Sequence, residues 1–355
     1  MSDKSSSTGA ALARLSDSRW LGGAVDLPSW DTWEAGVHQF DVGSLWALRA
    51  AVAAGRPLLL RGEPGIGKSQ LARAAAVVLG VPLLVHVVDE RSERDDLLAT
   101  YDAVARLAQA QVSSLVKGDG GDWQAKLSER NFVRPGVLWW AFDWRGARDQ
   151  AELFGKHCRA CPEPPKPPNW NEDDAASLGP VVLVDEIDKA DPSVPNGLLE
   201  TLGNAGFRVP HTGERVVMKE GKRPLIIITT NEERELPAAF LRRCLVHQMG
   251  FPASEGEAIE FLCHRARVHW PDEAASISGE LCREVATALV GDRRLARGKG
   301  QDGQAVPGAA EYLDLIRVLV ELGKGKAGAE RDKLQRAALE QVARFVLRKN
   351  APELT

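Results

Sequence analysis

RPLLLRGEPGIGKS, residues 56–69, joins a short apolar run, Pro57 to Leu60, to a glycine loop that ends in Lys68 and Ser69. The run carries no charge and reads as a buried parallel strand. Gly62, Glu63, Pro64, Gly65, Ile66, Gly67, Lys68 and Ser69 satisfy the pattern G-x-x-x-x-G-K-S, and a helix is expected from Gln70 to Leu79. Glycines in this pattern let successive backbone N–H groups turn inward around a phosphate chain, and the helix N-terminus adds a partial positive charge. Lys68 is then expected at the β- and γ-phosphates of a nucleotide and the Ser69 hydroxyl on Mg2+, with the loop from Gly62 to Gln70 as the binding segment. The competing reading is a glycine turn that carries Lys and Ser by chance. A strand before it and a helix after it argue against that.

Working outward, a Gly80-Val81-Pro82 turn leads to a second apolar run, LLVHVV (83–88), which makes a right-handed β-α-β unit the expectation. VVLV (181–184) and LIIIT (225–229) complete a buried sheet. Between them Asp191 is placed to cap a helix beginning at Pro192, with Val194, Leu198, Leu199 and Leu202 inward. Residues 42–54 have Leu45, Leu48, Val52 and Val42 at helical spacing, and Gly55 stands where a C-terminal cap belongs. FRVPHTGERVVMK (207–219) alternates about a His-Thr-Gly turn and predicts a β-hairpin. The fold class is therefore doubly wound α/β, a parallel sheet flanked by helices. After Pro252 the strand signal stops, and helices are expected near 254–268, 279–290, 309–323 and 330–348 as a small all-α lid. The division is 1–35 as a tail to about Ser16 and an extended arm, 36–251 as the α/β core, and 252–355 as the lid. Residues 145–179, with the proline-rich and acidic HCRACPEPPKPPNWNEDD, are expected to be an exposed insertion.

The 355 residues are 44% hydrophobic and 26% charged, which suits a globular chain of two to three domains and argues against extensive disorder. A formal net charge of −4 supplies no global field for nucleic acid or anionic lipid, so neither is an expected partner. The opening residues lack the apolar core of a signal peptide and no run approaches a membrane span, so a cytoplasmic location is expected. Five cysteines, an odd and scattered set, read as reduced thiols.

Two further strand ends carry chemistry. VVLV runs into Asp185 and Glu186, at the carboxyl end of a strand, where ligands of open α/β sheets bind. Asp185 is assigned to Mg2+ and Glu186 to the attacking water, since phosphoryl transfer asks the protein chiefly to position a nucleophile and stabilise charge. TTN (229–231) ends the next sheet strand, and the Asn231 amide is assigned to orienting that water or touching the γ-phosphate. In LPAAFLRRC, Arg242 and Arg243 follow a short helix; a guanidinium here serves as an arginine finger supplied in trans, or else is a surface or salt-bridged group.

With these elements in order the chain resembles the MoxR-type branch of the AAA+ ATPases over residues 36–323. The stretches that carry the resemblance are RPLLLRGEPGIGKSQLARA, DLLATYDAVARLAQAQ, FVRPGVLWWAF, VVLVDEIDKADP and LPAAFLRRCLVHQMGFP. It implies hydrolysis of ATP with Mg2+, assembly into a homo-oligomeric ring, usually a hexamer, and chaperone-like remodelling of a protein client, often one with a von Willebrand factor A domain. It implies catalytic roles for Lys68, Glu186, Asn231 and Arg243, the last fitting the finger position better than Arg242. It also implies a helical insert at about 93–142 and a β-hairpin insert at 207–219. Trp139, Trp140 and Phe142 fall in or near the helical insert, as an axial surface or as plain core.

Departures from the family pattern stand beside it. Ser69 and Asp185 lie 116 residues apart, long for a compact core, with the excess in 112–130 and 145–179. The lid helix expected to carry a second sensor arginine begins VPGAAEYLDLIR, without one, so that role is absent or moved, for example to Arg317. His157, Cys158 and Cys161 form half a zinc spacing with no second pair to complete it. GDRRLARGKGQDG (291–303) reads as a solvated basic loop. Two rivals remain: a nucleotide-gated binding switch with little turnover, and a DNA-stimulated ATPase.

Overall fold

The computed structural model describes residues 3–30, 33–115, 123–173, 178–272, 276–298 and 306–346. The chain divides into two compact units. One comprises residues 1–34, 40–61 and 69–247, the other residues 35–39, 62–68 and 248–355.

The first unit is built on a five-stranded sheet. Its strands are β1 (Leu58–Arg61), β2 (Leu83–Val87), β3 (Val181–Asp185), β4 (Leu225–Thr230) and β5 (Leu245–Gln248), in the order β5-β1-β4-β3-β2. β4 pairs in parallel with both β1 and β3, with Ile228 opposite Leu59 on one side and Val184 on the other, and β2 runs parallel to β3. The apolar runs behave as their composition demands, because a parallel sheet covered on both faces buries every side chain: all six residues of β4 are buried. This is the doubly wound architecture that the alternation of strands and helices predicts.

In chain order the helices of more than four residues described in this unit are α1 (Asp3–Leu15), α2 (Val42–Ala54), α3 (Lys68–Leu79), α4 (Ala103–Leu115), α5 (Val137–Phe142), α6 (Trp144–His157) and α7 (Ser193–Gly203). Three of them correct the sequence reading. The expected tail is α1, which buries Ala11 and Leu15 and packs on α2; the Arg49 guanidinium donates to the Leu15 carbonyl from Nε and Nη2 and so closes its end. In α2 the buried positions are Ser44, Leu45, Leu48 and Ala51, while Val42 is exposed at the first turn. The start of the expected insertion is α6, whose Trp144, Ala147, Ala151 and Phe154 are buried at helical spacing. Beyond it Trp170 is buried, stacks edge-on to Trp144 at 4.7 Å and donates to the Leu178 carbonyl at 2.9 Å, so part of the proline-rich stretch is core. Trp139, Trp140 and Phe142 are likewise buried, with Trp139 and Phe142 against Phe207, and form no surface.

Ala99–Tyr101 and Val133–Pro135 form a two-stranded antiparallel ladder that brackets α4. Gly206–Arg208 and Arg215–Val217 form the expected hairpin, its tip turned by His211 and Gly213 at φ 69° and 68°. α7 begins one residue later than predicted, at Ser193, with Asp191 Oδ1 accepting from the Ser193 amide at 2.9 Å.

The second unit contains α8 (Glu255–His269), α9 (Gly279–Gly298), α10 (Ala309–Leu322) and α11 (Gly328–Val346). They close on a core that includes Leu262, Leu281, Val285, Tyr312, Leu315, Ile316 and Leu319, all fully buried. Tyr312 satisfies its hydroxyl on the Cys282 carbonyl. The first and third helices of this set match the predicted spans to within a residue and the fourth starts two residues early; α9 extends beyond its predicted end, into the stretch read as a basic loop, of which residues 299–303 lie outside the described residues. The end of the fourth predicted helix, 347 and 348, also lies outside them.

α2 opens on Asp41, which accepts from the Ser44 amide at 2.8 Å and from its hydroxyl, while that hydroxyl also meets His247 Nε2 at 3.1 Å. Burial works to raise the Asp41 carboxyl, but the Ser44 bonds and the charge of His247 together hold it below its ordinary value. Asp41→Ala is expected to lower the unfolding free energy by about 1 kcal/mol, the usual worth of such a cap. Because the folded pKa is depressed, this contribution is fully present above about pH 4 and disappears as pH falls through the folded value. Urea unfolding of both proteins across that window checks it.

Candidate functional site

β3 and β4 lie side by side in parallel register, so their carboxyl ends emerge together. Asp185 closes β3. Both of its carboxylate oxygens accept from Ser69 Oγ at 2.9 Å, and Oδ1 also accepts from the Thr229 hydroxyl of β4. Thr229 is fully buried and serves both strands, since its oxygen accepts the Glu186 amide at 2.9 Å. That bond holds Glu186 at φ 60°, a left-handed conformation that turns the chain sharply out of the strand.

The Glu186 side chain is fixed from two directions. Asn231 Nδ2 donates to Oε1 at 3.1 Å and Lys189 Nζ donates to Oε2 at 2.6 Å. The hydrogen bond that Lys189 donates to Glu186 holds its ammonium above its ordinary value. Asp188, 2% exposed, accepts the Asn231 amide at 3.4 Å and the Glu233 amide at 3.0 Å, which ties the turn after β4 to the turn after β3. Asp185, Glu186, Asn231 and Ser69 thus come together. Thr229 and Asp188, which sequence reasoning leaves without a role, are the groups that keep them so. Thr229 stands in the TTN stretch, but nothing in that stretch distinguishes a hydroxyl facing a carboxylate from an ordinary strand threonine.

The glycine loop belongs to the other unit, and only Ser69, the next residue along the chain, is counted with the sheet. Gly62 has φ 146°, and a Cβ there would lie 2.2 Å from the Met249 carbonyl oxygen. Gly65 has φ 74°, and a Cβ there would lie 2.8 Å from Ala310 Cβ at the start of α10. Both positions therefore require glycine on two counts, conformation and space. Lys68 is buried, and its Nζ donates to the carbonyls of Gly62 at 2.6 Å and Glu63 at 3.0 Å.

Two arginines from the helical unit reach this loop. Arg265 of α8 donates to the Ile66 carbonyl at 3.1 Å, and Arg293 of α9 pairs with the Glu63 carboxylate. The start of α10 meets the loop with Ala310 rather than a guanidinium. Arg317 pairs with Asp314 of its own helix at 3.7 Å and is more than half exposed. Neither Arg265 nor Arg293 stands out in the sequence, because each lies in a different helix from the one expected to supply such a group. Gln70 accepts from Arg73, whose other nitrogen holds the Pro28 and Glu34 carbonyls, so its side chain is engaged in supporting the start of α3.

Arg242 and Arg243 follow a helical turn, Ala238–Leu241, and both side chains are exposed. Arg56 holds their backbone carbonyls and that of Cys244, while neither guanidinium forms an ion pair among the described residues. A hydroxyl and a carboxylate at 2.9 Å, Ser69 and Asp185, suit an ion such as Mg2+ that keeps several waters and takes few protein oxygens. Among the described residues no three His, Cys, Asp or Glu side chains are placed to hold an ion together; His157, Cys158 and Cys161 do not form such a group, and all five cysteines are free thiols. No helix among the described residues is long and apolar enough to cross a membrane.

Residues 57–244, more than half of the chain, match the family model described as the AAA domain (dynein-related subfamily). Among solved structures the chain is similar to a candidate ATPase from Cytophaga hutchinsonii ATCC 33406, at 13% identity and a TM-score of 0.34, over 86% of this chain and 79% of that one. No curated protein matches the chain.

Replacing Thr229 with Val keeps the shape of the strand and removes the hydroxyl that serves Asp185 and Glu186. Such a change leaves buried partners unpaired and is expected to cost about 1–3 kcal/mol. Chemical denaturation of the variant, alongside Thr229→Ser as the hydroxyl-retaining control, measures it.

Proposed function

The chain belongs to the dynein-related AAA domain family, and on that premise we propose that it hydrolyses Mg2+-ATP and works as a ring of MoxR type on a protein client. The observation that carries the reading is the Glu186 carboxylate held by Asn231 at the end of β3, next to Asp185 and the Ser69 that follows Lys68. That arrangement can hold a water on one side and a phosphate-bound ion on the other.

In this reading the amides of the Gly62–Gly67 loop and Lys68 bind the phosphates. Lys68 exchanges the Gly62 and Glu63 carbonyls for β- and γ-phosphate oxygens as nucleotide enters. Ser69 and Asp185 hold Mg2+, which supplies charge neutralisation to the phosphates. Glu186 aligns a water for attack on the γ-phosphorus and accepts its proton, while the bond to the β-phosphate oxygen breaks to give ADP and inorganic phosphate. Asn231 fixes which Glu186 oxygen faces that water.

Arg243 serves as a finger to the neighbouring subunit's site. Its exposure and freedom from ion pairing within the described residues support that role, because an internal salt bridge would withdraw it. A homo-hexamer acting on a client such as a von Willebrand factor A domain protein is the assembly that the MoxR resemblance supports. A purely nucleotide-gated switch would leave the fixation of Glu186 without purpose.

Phosphate release distinguishes these readings. Glu186→Gln is expected to bind Mg2+-ATP and to lose turnover by at least about 100-fold, in line with loss of a general base. Arg243→Ala is expected to bind ATP normally and to lose about 10³-fold in rate, the lower range for an arginine finger. Full turnover by Glu186→Gln would discard the assigned chemistry, and DNA-dependent turnover with a steep salt slope would favour a nucleic-acid-directed ATPase.

A further inference from the structure

Resting on the ATP reading above, we propose that Arg293 is a positioning residue that neutralises Glu63, so that the phosphate-binding loop meets the polyphosphate without an opposing carboxylate. Glu63 is the one acidic residue within Gly62–Ser69. Its side chain is 41% exposed, yet it pairs with a guanidinium that is 5% exposed. Arg293 is held independently of that pair. Its Nη1 donates to the Pro307 carbonyl at 2.9 Å, and the guanidinium carbon sits over the Phe251 ring at 4.2 Å. A buried arginine fixed in this way is pre-organised, so little side-chain freedom is lost when it meets the carboxylate.

The arrangement assigns a direction to each charge. An acidic side chain beside a loop that must bind a polyanion opposes binding, and the penalty is strongest where water is partly excluded. A fixed cation on that side chain removes the penalty without touching the nucleotide. Arg265 acts on the loop at a different point, donating to the Ile66 carbonyl. Loss of Arg293 therefore acts on nucleotide through Glu63, and removing the Glu63 charge should cancel the loss.

Titration calorimetry of the full chain with Mg2+-ATP and Mg2+-ADP tests this with Arg293→Gln, Glu63→Gln, the double variant and Arg293→Lys. Arg293→Gln is expected to weaken ATP binding about tenfold and ADP binding less, because ADP carries less charge. The double variant is expected within about threefold of wild type, and Arg293→Lys, which retains the cation, within the same margin. Glu63→Gln alone is expected to bind ATP at least as tightly as wild type, and it keeps the idea testable if Arg293→Gln does not fold. A double variant as weak as Arg293→Gln would overturn the proposal, since the guanidinium would then act on the nucleotide itself. Unchanged affinity in Arg293→Gln would overturn it too, leaving the pair as packing. Wild-type protein that binds no Mg2+-ATP would instead bring down the underlying reading.

Discussion

The parallel register of β3 and β4 is the constraint on which the rest depends. With Ile228 opposite Val184, the two strands end within a residue of each other, and Thr229 stands where its hydroxyl can serve Asp185 and the Glu186 amide at once. A slip by one residue would turn Thr229 to the other face of the sheet and release Glu186 from its left-handed turn. Asp188 and Asn231 complete the lattice by binding the turns that follow. The cost of burying so many polar groups is offset because each has a partner, and a lattice of this kind is rigid for the same reason.

The glycine loop obeys a different constraint. Its backbone must pass through conformations open only to glycine at Gly62 and Gly65, with Met249 and Ala310 leaving no room for a Cβ. Lys68 is satisfied on the loop's own carbonyls, and the loop's exterior is held by arginines of the helical unit. The strand ends are thus tied by hydrogen bonds of their own, whereas the loop is held by side chains far from it in the chain.

Much of this was legible in the sequence because it is local. Four sheet strands showed as uncharged apolar runs, and the loop, Asp185, Glu186 and Asn231 each stood at the end of one. What was not legible depends on distant partners: Thr229 meets Glu186 across 43 positions, Arg265 meets Ile66 across 199 and Arg293 meets Glu63 across 230. No local pattern announces such a pair. Two helices escape the sequence reading for a different reason. In α1 the serine-rich start conceals the inward pair Ala11 and Leu15, which are four apart. In α6 the spacing of Trp144, Ala147, Ala151 and Phe154 is helical, but the prolines that follow make the whole stretch resemble a loop.

The central claim is that the Glu186 site turns over ATP with help from a neighbour's Arg243. The most direct test is the specific rate of phosphate release from saturating Mg2+-ATP as the concentration of the full chain is raised, with oligomeric state followed by native mass spectrometry at each point. The account predicts a rate per chain that climbs with concentration and levels off as rings fill. A measurable rate that is constant across the series while the chain stays monomeric would contradict it.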